Sequence, residues 1–302
     1  MSTASSDISV IIPFYNREQY IDEAVQSVLA QTLKPLEIII VNDCSRESSR
    51  HYLDRYAGIC KIVDLTKNVG LAGSRNAGIR EARGQFIALL DDDDIWLPQK
   101  LEVQHRYLME HPECSAVHTA VWLFFTDRPD IRYKLFEPGS LPLSQVLTHR
   151  QWVIPSTVMM RTQMFRDAGG FDPWFRENED RDFFVRCCAL GHRIQGIDEP
   201  LIRFRRSGHH HLAGRHLTMY KSQMKLCWKH RALYRQVFGL RGIFYFLLES
   251  TYHLANGYVA SKYGQPSLRA KYVQGVLWRA RQTIKVKYQV RPGFKDPVAS
   301  EA

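Results

Sequence analysis

The sequence predicts an α/β protein: a doubly wound, mostly parallel sheet with helices on both faces, followed by a C-terminal helical extension. Three observations predict it. Over the first hundred residues, short β-branched runs alternate with stretches whose apolar residues recur at helical spacing. Each of those runs is followed by a polar cluster. Past His211 the pattern changes to long amphipathic stretches, with aromatic and aliphatic residues on one side and Lys and Arg on the other.

The elements follow in order. Ile8 to Ile12 is a short apolar run that suits a buried strand, and Ile21, Ala24, Val25, Val28 and Leu29 then form one helical stripe after Arg17. Glu37 to Val41 is the second strand, with a second helix around Ser48 to Tyr56. Ile59 to Leu65 reads as a third strand and Leu71 to Ala82 as a helix. Gln85 to Leu90 is the fourth strand, running straight into four aspartates, and another helix begins near Pro98. Such repetition implies right-handed parallel crossovers. Ligands of such sheets sit beyond the carboxyl ends of the strands. Pro13 to Asn16, Asn42 to Ser45, Lys67 to Gly70 and Asp91 to Asp94 are therefore expected to converge on one edge. Between Ala116 and Arg206 the periodicity weakens, with strand-like pieces at Ser115 to Phe125 and Val153 to Met160. Met219 to Phe238 and Arg241 to Ser261 read as helices.

The 302 residues are 45% hydrophobic and 24% charged, which excludes a largely disordered or collagen-like chain and leaves room for a real core. The net charge of +10 hides a split. From Leu201 onward 19 Lys and Arg face three acids (Glu249, Asp296 and Glu301), whereas the first 200 residues hold 22 bases and 28 acids. An acidic body with a basic tail points to chemistry in one part and attraction to an anionic partner in the other. Six cysteines without a CxxC pair or framework spacing read as buried or incidental thiols of a reducing compartment. The polar start and the short apolar runs carry neither a secretory signal nor the roughly 20 apolar residues of a spanning helix. The expected location is cytoplasmic.

Several clusters could carry chemistry. Asp91-Asp92-Asp93-Asp94 directly follows a strand, and four adjacent carboxylates repel one another unless a cation sits among them. Alternation at the strand end would turn Asp91 and Asp93 to one side, and hard cations such as Mg²⁺ and Mn²⁺ suit oxygen ligands. The competing reading is a solvated acidic turn before the next helix. Lys67 to Gly78 spans a strand–helix junction where small residues admit a ligand and Arg75 could fork onto a phosphate, or it is only a tightly packed helix start. Asp43 could accept a hydrogen bond from a nucleobase or sugar, or cap a helix. In Glu177 to Asp182 a carboxylate on the first helical turn could be a general base, or again a cap. Asp180 and Phe184 lie four apart, which would set Asp180 beside a partly buried ring. His209-His-His211 with Arg203, Arg205 and Arg206 could bind a metal or a diphosphate, or form a basic loop.

The order of these motifs carries more than each alone. Val10-Ile-Ile-Pro-Phe-Tyr-Asn16, Gln31-Thr32, Glu37 to Ser45, Asn68 to Asn76, Phe86 to Asp94 with Trp96 and Pro98, Gly169-Gly-Phe-Asp172 and Glu179-Asp180 follow one another. Together they resemble an inverting family 2 nucleotide-sugar glycosyltransferase of the GT-A fold, over about Ile8 to His211. The resemblance implies a catalytic domain over residues 1–212 and a basic, mainly helical extension over 213–302. It implies that Pro13 and Tyr15 hold the nucleobase and that Asp43 contacts it, with Asn42 standing where the family often has a first acid. Asn68 and Arg75 would face the nucleotide and its diphosphate. Asp93 would be the direct ligand of Mn²⁺ or Mg²⁺, with Asp91 also at the metal and, like Asp92, on the donor side. Asp180 would be the catalytic base, with Glu179 the competing choice. In place of the family's Tyr-Arg-x-His pattern stand Phe204-Arg205-Arg206-Ser207 and then His209, the remaining metal or diphosphate candidate.

The implied reaction moves a sugar from a nucleoside-diphosphate donor, a UDP-sugar by preference, to a saccharide or lipid-linked acceptor of cell-surface polysaccharide or lipopolysaccharide. The basic extension interleaves charge with Trp228, Phe238, Phe244, Tyr245, Phe246 and Trp278 in a helical pattern that suits an anionic membrane surface. The expectation is a peripheral protein at the inner face of the plasma membrane, with room for a homo-oligomer. The alternative is a nucleic-acid- or membrane-binding protein with a non-catalytic nucleotide-binding domain. No DNA- or RNA-reading motif appears, so no nucleic-acid partner is expected. A nucleotidyltransferase is disfavoured because its glycine-rich start with a downstream lysine is absent after the first strand.

Overall fold

The computed structural model describes residues 6–126, 128–135, 139–148, 153–206, 212–240 and 242. Its elements run β1 (Ile8–Phe14), α1 (Glu18–Leu29), β2 (Glu37–Asn42), α2 (Glu47–Tyr52), a 3-10 turn (Leu53–Tyr56), β3 (Lys61–Asp64) and α3 (Gly70–Arg80). They continue with β4 (Phe86–Leu89), β5 (Ile95–Trp96), α4 (Lys100–Glu110), β6 (Cys114–Phe125), β7 (Arg128–Leu135), β8 (Gly139–Ser140) and α5 (Leu143–Leu147). After a second 3-10 turn (Pro155–Thr157) come β9 (Met159–Arg161), α6 (Thr162–Asp167), α7 (Glu179–Ala189), β10 (Arg193–Arg206) and α8 (Leu212–Phe238). Two compact units result. One takes Met1–Leu141, Trp152–Trp174 and Glu179–Gly208, and the other takes Pro142–Gln151, Phe175–Asn178 and the chain from His209.

The first unit holds one mixed sheet in the order β3-β2-β1-β4-β9-β6-β10-β5, with β7 on β6 and β8 on β10. β3, β2, β1 and β4 are mutually parallel, and β6 runs parallel to β10. β1 is the hub because all seven of its residues are buried, so it has neighbours at both edges and layers on both faces. Its side chains alternate. Val10, Ile12 and Phe14 share a core with Ile21, Ala24, Val25 and Val28 of α1 and with Leu101 and Leu108 of α4. Burying each large member contributes on the order of 1.5–3 kcal/mol. Ile11 points the other way, where α3 packs so closely that a Cβ on Gly78 would stand 2.5 Å from Ile11 Cγ2 and 2.8 Å from Val41 Cγ2. Helices therefore cover both faces of the hub.

Two expectations change. The piece from Val153 to Met160 is not one strand: Pro155 opens a 3-10 turn closed by the Thr157 hydroxyl on the Ile154 carbonyl, and only Met159–Arg161 pairs. That strand is antiparallel to both β4 and β6, which inserts it between the parallel groups. The second helix likewise tightens to 3-10 geometry from Leu53. All six cysteines are free thiols, five of them buried and Cys44 exposed.

In the second unit, α8 is interrupted at His230, whose φ of −98° and ψ of 15° are not helical. Tyr234 is fully buried and donates its hydroxyl to the Leu147 carbonyl. No helix among the described residues is long and apolar enough to cross a membrane. His209 and residues 243–302, which include most of the predicted helix at Arg241 to Ser261, lie outside the described residues.

Candidate active site at the strand ends

The four polar clusters do meet at one sheet edge. The register sets Pro13 beside Val41 and Ile11 beside Leu89, so β1, β2 and β4 end together. Just past β1, Asn16 takes a positive φ of 52°, donates its backbone N–H to Ser45 Oγ (3.1 Å) and accepts from Arg46 N–H (2.8 Å). This stitches the first loop to the second. Tyr15 beside it leaves 48% of its surface exposed, while Pro13 is buried in the strand.

Asp43 is 4% exposed, and its two carboxylate oxygens accept the backbone N–H groups of Val69 (2.7 Å) and Gly70 (2.9 Å). It therefore caps α3, not the helix that follows it in sequence. Those N–H groups have no partner inside a helix, and a carboxylate there also meets the positive end of the helix dipole. Asn68 donates its side-chain amide to the Asp43 carbonyl at 3.2 Å, closing the third loop on the second.

Arg75 lies one turn into α3 and is 1% exposed. Its Nη2 donates to Asp91 Oδ1 at 2.7 Å and its Nη1 to Glu179 Oε1 at 2.9 Å. The expected phosphate fork is thus engaged by two carboxylates inside the protein. This contact joins the acidic loop to the start of α7, where Asp180 is half-buried and accepts the Arg181 N–H at 2.7 Å. Burial first, and the charge of Asp180 second, push the Glu179 carboxyl up to about 7 against the pull of Arg75. Glu179 is buried on Arg75, and Asp180 beside it is nearer solvent. Phe184, expected to be a partly buried ring, is 2% exposed.

Asp91 to Asp94 do not continue the strand. The loop turns, with the Asp94 N–H on the Asp91 carbonyl at 3.1 Å, so strand alternation does not sort its side chains. Asp91 goes to Arg75, whereas Asp92 and Asp93 share Nη1 of Arg17 at 3.0 and 2.6 Å. Asp94 accepts the Arg205 backbone N–H at 3.0 Å, and Arg205 Nε donates to the Asp93 carbonyl at 2.9 Å. Burial pushes Asp92 up to about 7 and Asp94 well above the carboxylate range, with the neighbouring acids adding to both. Asp93 is also raised, by burial first and Asp91 next, against Arg17. Three arginines from distant segments therefore stand where the sequence pattern asked for a cation.

They leave the loop short of compensation, which bears on a metal. Among the described residues, no group of three or more His, Cys, Asp or Glu is arranged to hold an ion by itself. Asp93, with 26% of its side chain exposed, and Asp91, with 21%, remain a pair of all-oxygen donors on one loop. A hard divalent cation that takes its other ligands from phosphate oxygens and water fits such a pair. Of the candidates, the structure brings together Tyr15, Asp43, Asn68, Arg75, Asp91, Asp92, Asp93, Glu179 and Asp180 around one edge.

Sequence reasoning missed Arg17, because a single Arg before a helix has no periodic signal. It also missed Asn76, which donates to the Phe171 carbonyl (2.7 Å) and accepts the Phe171 N–H (2.8 Å). The fully buried Asp182 pairs with Arg186 at 2.8 Å, and Arg186 in turn donates to the carbonyls of Ala168 and Gly170. The Gly169-Gly-Phe-Asp172 motif is therefore gripped from α3 and α7, and its role here is to fix α7 under the site.

Comparisons with known proteins agree with this architecture. A family model described as glycosyl transferase family 2 matches residues 9–169. A putative teichuronic acid biosynthesis glycosyltransferase of Bacillus subtilis, TuaG, is 37% identical over 202 residues, 66% of this chain and 78% of TuaG. The crystal structure of S. aureus TarS 1–349 in complex with UDP-GlcNAc superposes with a TM-score of 0.61 at 18% identity, over 92% of this chain and 81% of that one. The mannosyltransferase PcManGT of Pyrobaculum calidifontis, in complex with GDP-Man and Mn²⁺, gives 0.59 at 15%, over 94% and 86%. These two structures share the GT-A fold. The family match spans more than half of the sequence and the TuaG match most of that relative, so this chain belongs to glycosyl transferase family 2 and is a glycosyltransferase.

Proposed function

We propose that the enzyme transfers a sugar, with inversion, from a nucleoside-diphosphate donor to a hydroxyl of a saccharide or lipid-linked acceptor, with Asp180 as base. One observation carries the assignment: Arg75 bridges Asp91 to Glu179, which sets the base-bearing turn of α7 beside the acidic loop. Asp180 takes the acceptor proton as the hydroxyl oxygen attacks the anomeric carbon. The new C–O bond forms opposite the bond to phosphate, which breaks and leaves as a nucleoside diphosphate. A positioned base of this kind contributes roughly 10²–10⁴-fold. Tyr15 offers an exposed ring to the nucleobase, and Asp43 and Asn68 hold the loops that frame it. Asp93, with Asp91, is the pair that would hold Mn²⁺ or Mg²⁺, which when bound supplies charge neutralisation for the leaving diphosphate.

A UDP-sugar is the favoured donor, and TarS, crystallised with UDP-GlcNAc, supports it by likeness of fold. The name of TuaG supports a role in cell-surface polysaccharide assembly. The test is thermal shift with UDP, GDP and dTDP, each with and without Mn²⁺, followed by nucleotide release from a panel of donors. Stabilisation by UDP that deepens with Mn²⁺ is expected. A melting curve indifferent to every nucleotide refutes the reading.

Docking on an anionic membrane belongs to the same proposal. Over Leu212–Phe238, α8 carries six Lys and Arg and no acid, and Trp228 is 66% exposed with the Arg231 guanidinium 4.5 Å above its ring. An exposed Trp among cations suits the headgroup region. Trp228→Ser with Lys221→Glu is expected to weaken sedimentation with phosphatidylglycerol vesicles and leave soluble-acceptor activity in place. Undiminished sedimentation refutes it, and retention on duplex DNA in its place favours the nucleic-acid alternative.

A further inference from the structure

The three arginines around the acidic loop differ in freedom. Arg75 has 1% of its side chain exposed and is wedged between Asp91 and Glu179. Arg205 has 7% exposed and is tied to the Asp93 carbonyl, to Glu23 at 2.7 Å, and to the rings of Tyr20 and Phe124. Arg17 has 48% exposed, and its side-chain hydrogen bonds among the described residues run through Nη1 alone, to Asp92 and Asp93. It also stands just before α1 with φ −128° and ψ 44°, outside the helix, so its side chain swings without disturbing a helical turn.

We propose that Arg17 is a displaceable counter-cation: it neutralises Asp92 and Asp93 while no donor is bound, releases Asp93 to an arriving divalent cation, and turns its freed fork to the donor diphosphate. The inference rests on the donor and metal reading given above. Its physical basis is competition for one oxygen. At 2.6 Å, Nη1 occupies Oδ2 of Asp93, a carboxylate that keeps 26% of its side chain exposed. A guanidinium and a dication on the same carboxylate repel one another, so a cation arriving alone must displace Arg17 without giving it a new partner. A cation arriving with a nucleoside diphosphate brings anionic oxygens that receive the guanidinium in bidentate geometry. Cation and nucleotide therefore help each other bind, by the same factor in either order, and Arg17 supplies part of that coupling.

The test measures Mn²⁺ binding to the full chain from the electron paramagnetic resonance signal of free Mn²⁺, with and without UDP, in wild type, Arg17→Gln and Arg17→Lys. Arg17→Gln is expected to bind Mn²⁺ alone on the order of tenfold more tightly, since an adjacent unit charge shifts a carboxylate's cation affinity by at least that factor. The enhancement that UDP gives to Mn²⁺ binding is expected to shrink by about the same factor. Arg17→Lys keeps the charge and loses the fork, so Mn²⁺ alone stays near wild type while the UDP enhancement falls. Mn²⁺ binding by Arg17→Gln equal to or weaker than wild type, or an undiminished UDP enhancement in Arg17→Lys, overturns the proposal and leaves the donor reading standing. Absence of Mn²⁺ binding by wild type with UDP or GDP present overturns both.

Discussion

Replacing Arg75 by Met tests the link between the acidic loop and the start of α7. Methionine keeps much of the volume and removes both ion pairs, leaving Glu179, 7% exposed, without its cation. Breaking a buried pair from one side costs about 3–5 kcal/mol. In a domain of this size each kcal/mol lowers the melting temperature by about 2–4 °C, so the expected fall is on the order of 10 °C. Its pH dependence has a definite sign. Glu179 rises from 4.5 to about 7 in the fold even with Arg75 present. An acid raised on folding contributes stability below its unfolded value, and that contribution is lost as pH climbs through the folded value. For wild type the loss runs from about 4.5 to about 7, and without Arg75 it extends further upward. The variant is therefore expected to lose about 10 °C at pH 8.5 and less than half of that at pH 5.5, where Glu179 is protonated in both proteins. Circular dichroism melts at the two pH values measure it. Adding Glu179→Gln should recover part of the loss at pH 8.5, by a coupling of about 0.5–3 kcal/mol. An equal loss at both pH values, or no recovery in the double variant, refutes the account of a charge stranded beside α7.

Three further outcomes follow from the same geometry. Asp180→Asn should keep nucleotide binding, read by thermal shift, and lose transfer by roughly 10²–10⁴-fold; unchanged turnover would falsify the base assignment. Asp43→Ala removes the acceptor of the partly buried Val69 and Gly70 N–H groups at the start of α3, and at about 0.5–2 kcal/mol for a lost cap the melting temperature should drop. Asp43→Asn, which keeps one acceptor, should lose about half as much, and equal losses would speak against the capping role. Gly78→Ala forces a methyl to within 2.5 Å of Ile11 Cγ2, so denaturant unfolding should show a loss of about 1–3 kcal/mol despite alanine's better helix propensity, and a gain in stability would show that α3 shifts freely.

Much of the fold was legible because its signals are local. The apolar runs that became β1, β2 and β4 announce themselves within five or six residues, and the stripe of α1 within two turns. The weakly periodic middle was read less well. Val153 to Met160 has strand-like composition, but Pro155 and the Thr157 hydroxyl bend it, and its antiparallel place between β4 and β6 depends on strands many residues away. The site divides along the same line. That acids gather after β4 and at the start of α7 is written in the sequence, as is the order of motifs that marks the family.

Which acid meets which cation is not written there. Arg75 finds Glu179 across 104 positions and Asp91 across 16, Arg17 reaches Asp92 across 75, and the Arg205 backbone reaches Asp94 across 111. The sequence by itself determined an α/β sheet whose strand ends carry an acidic loop, and a helix that opens on acids, because side-chain periodicity is set by neighbours along the chain. Only the tertiary structure decided that Asp43 caps α3, that Glu179 is buried against Arg75, and that arginines share the acidic loop. The reason is that charge interactions depend on distance and burial, and both are fixed when segments far apart in the chain come together at one sheet edge.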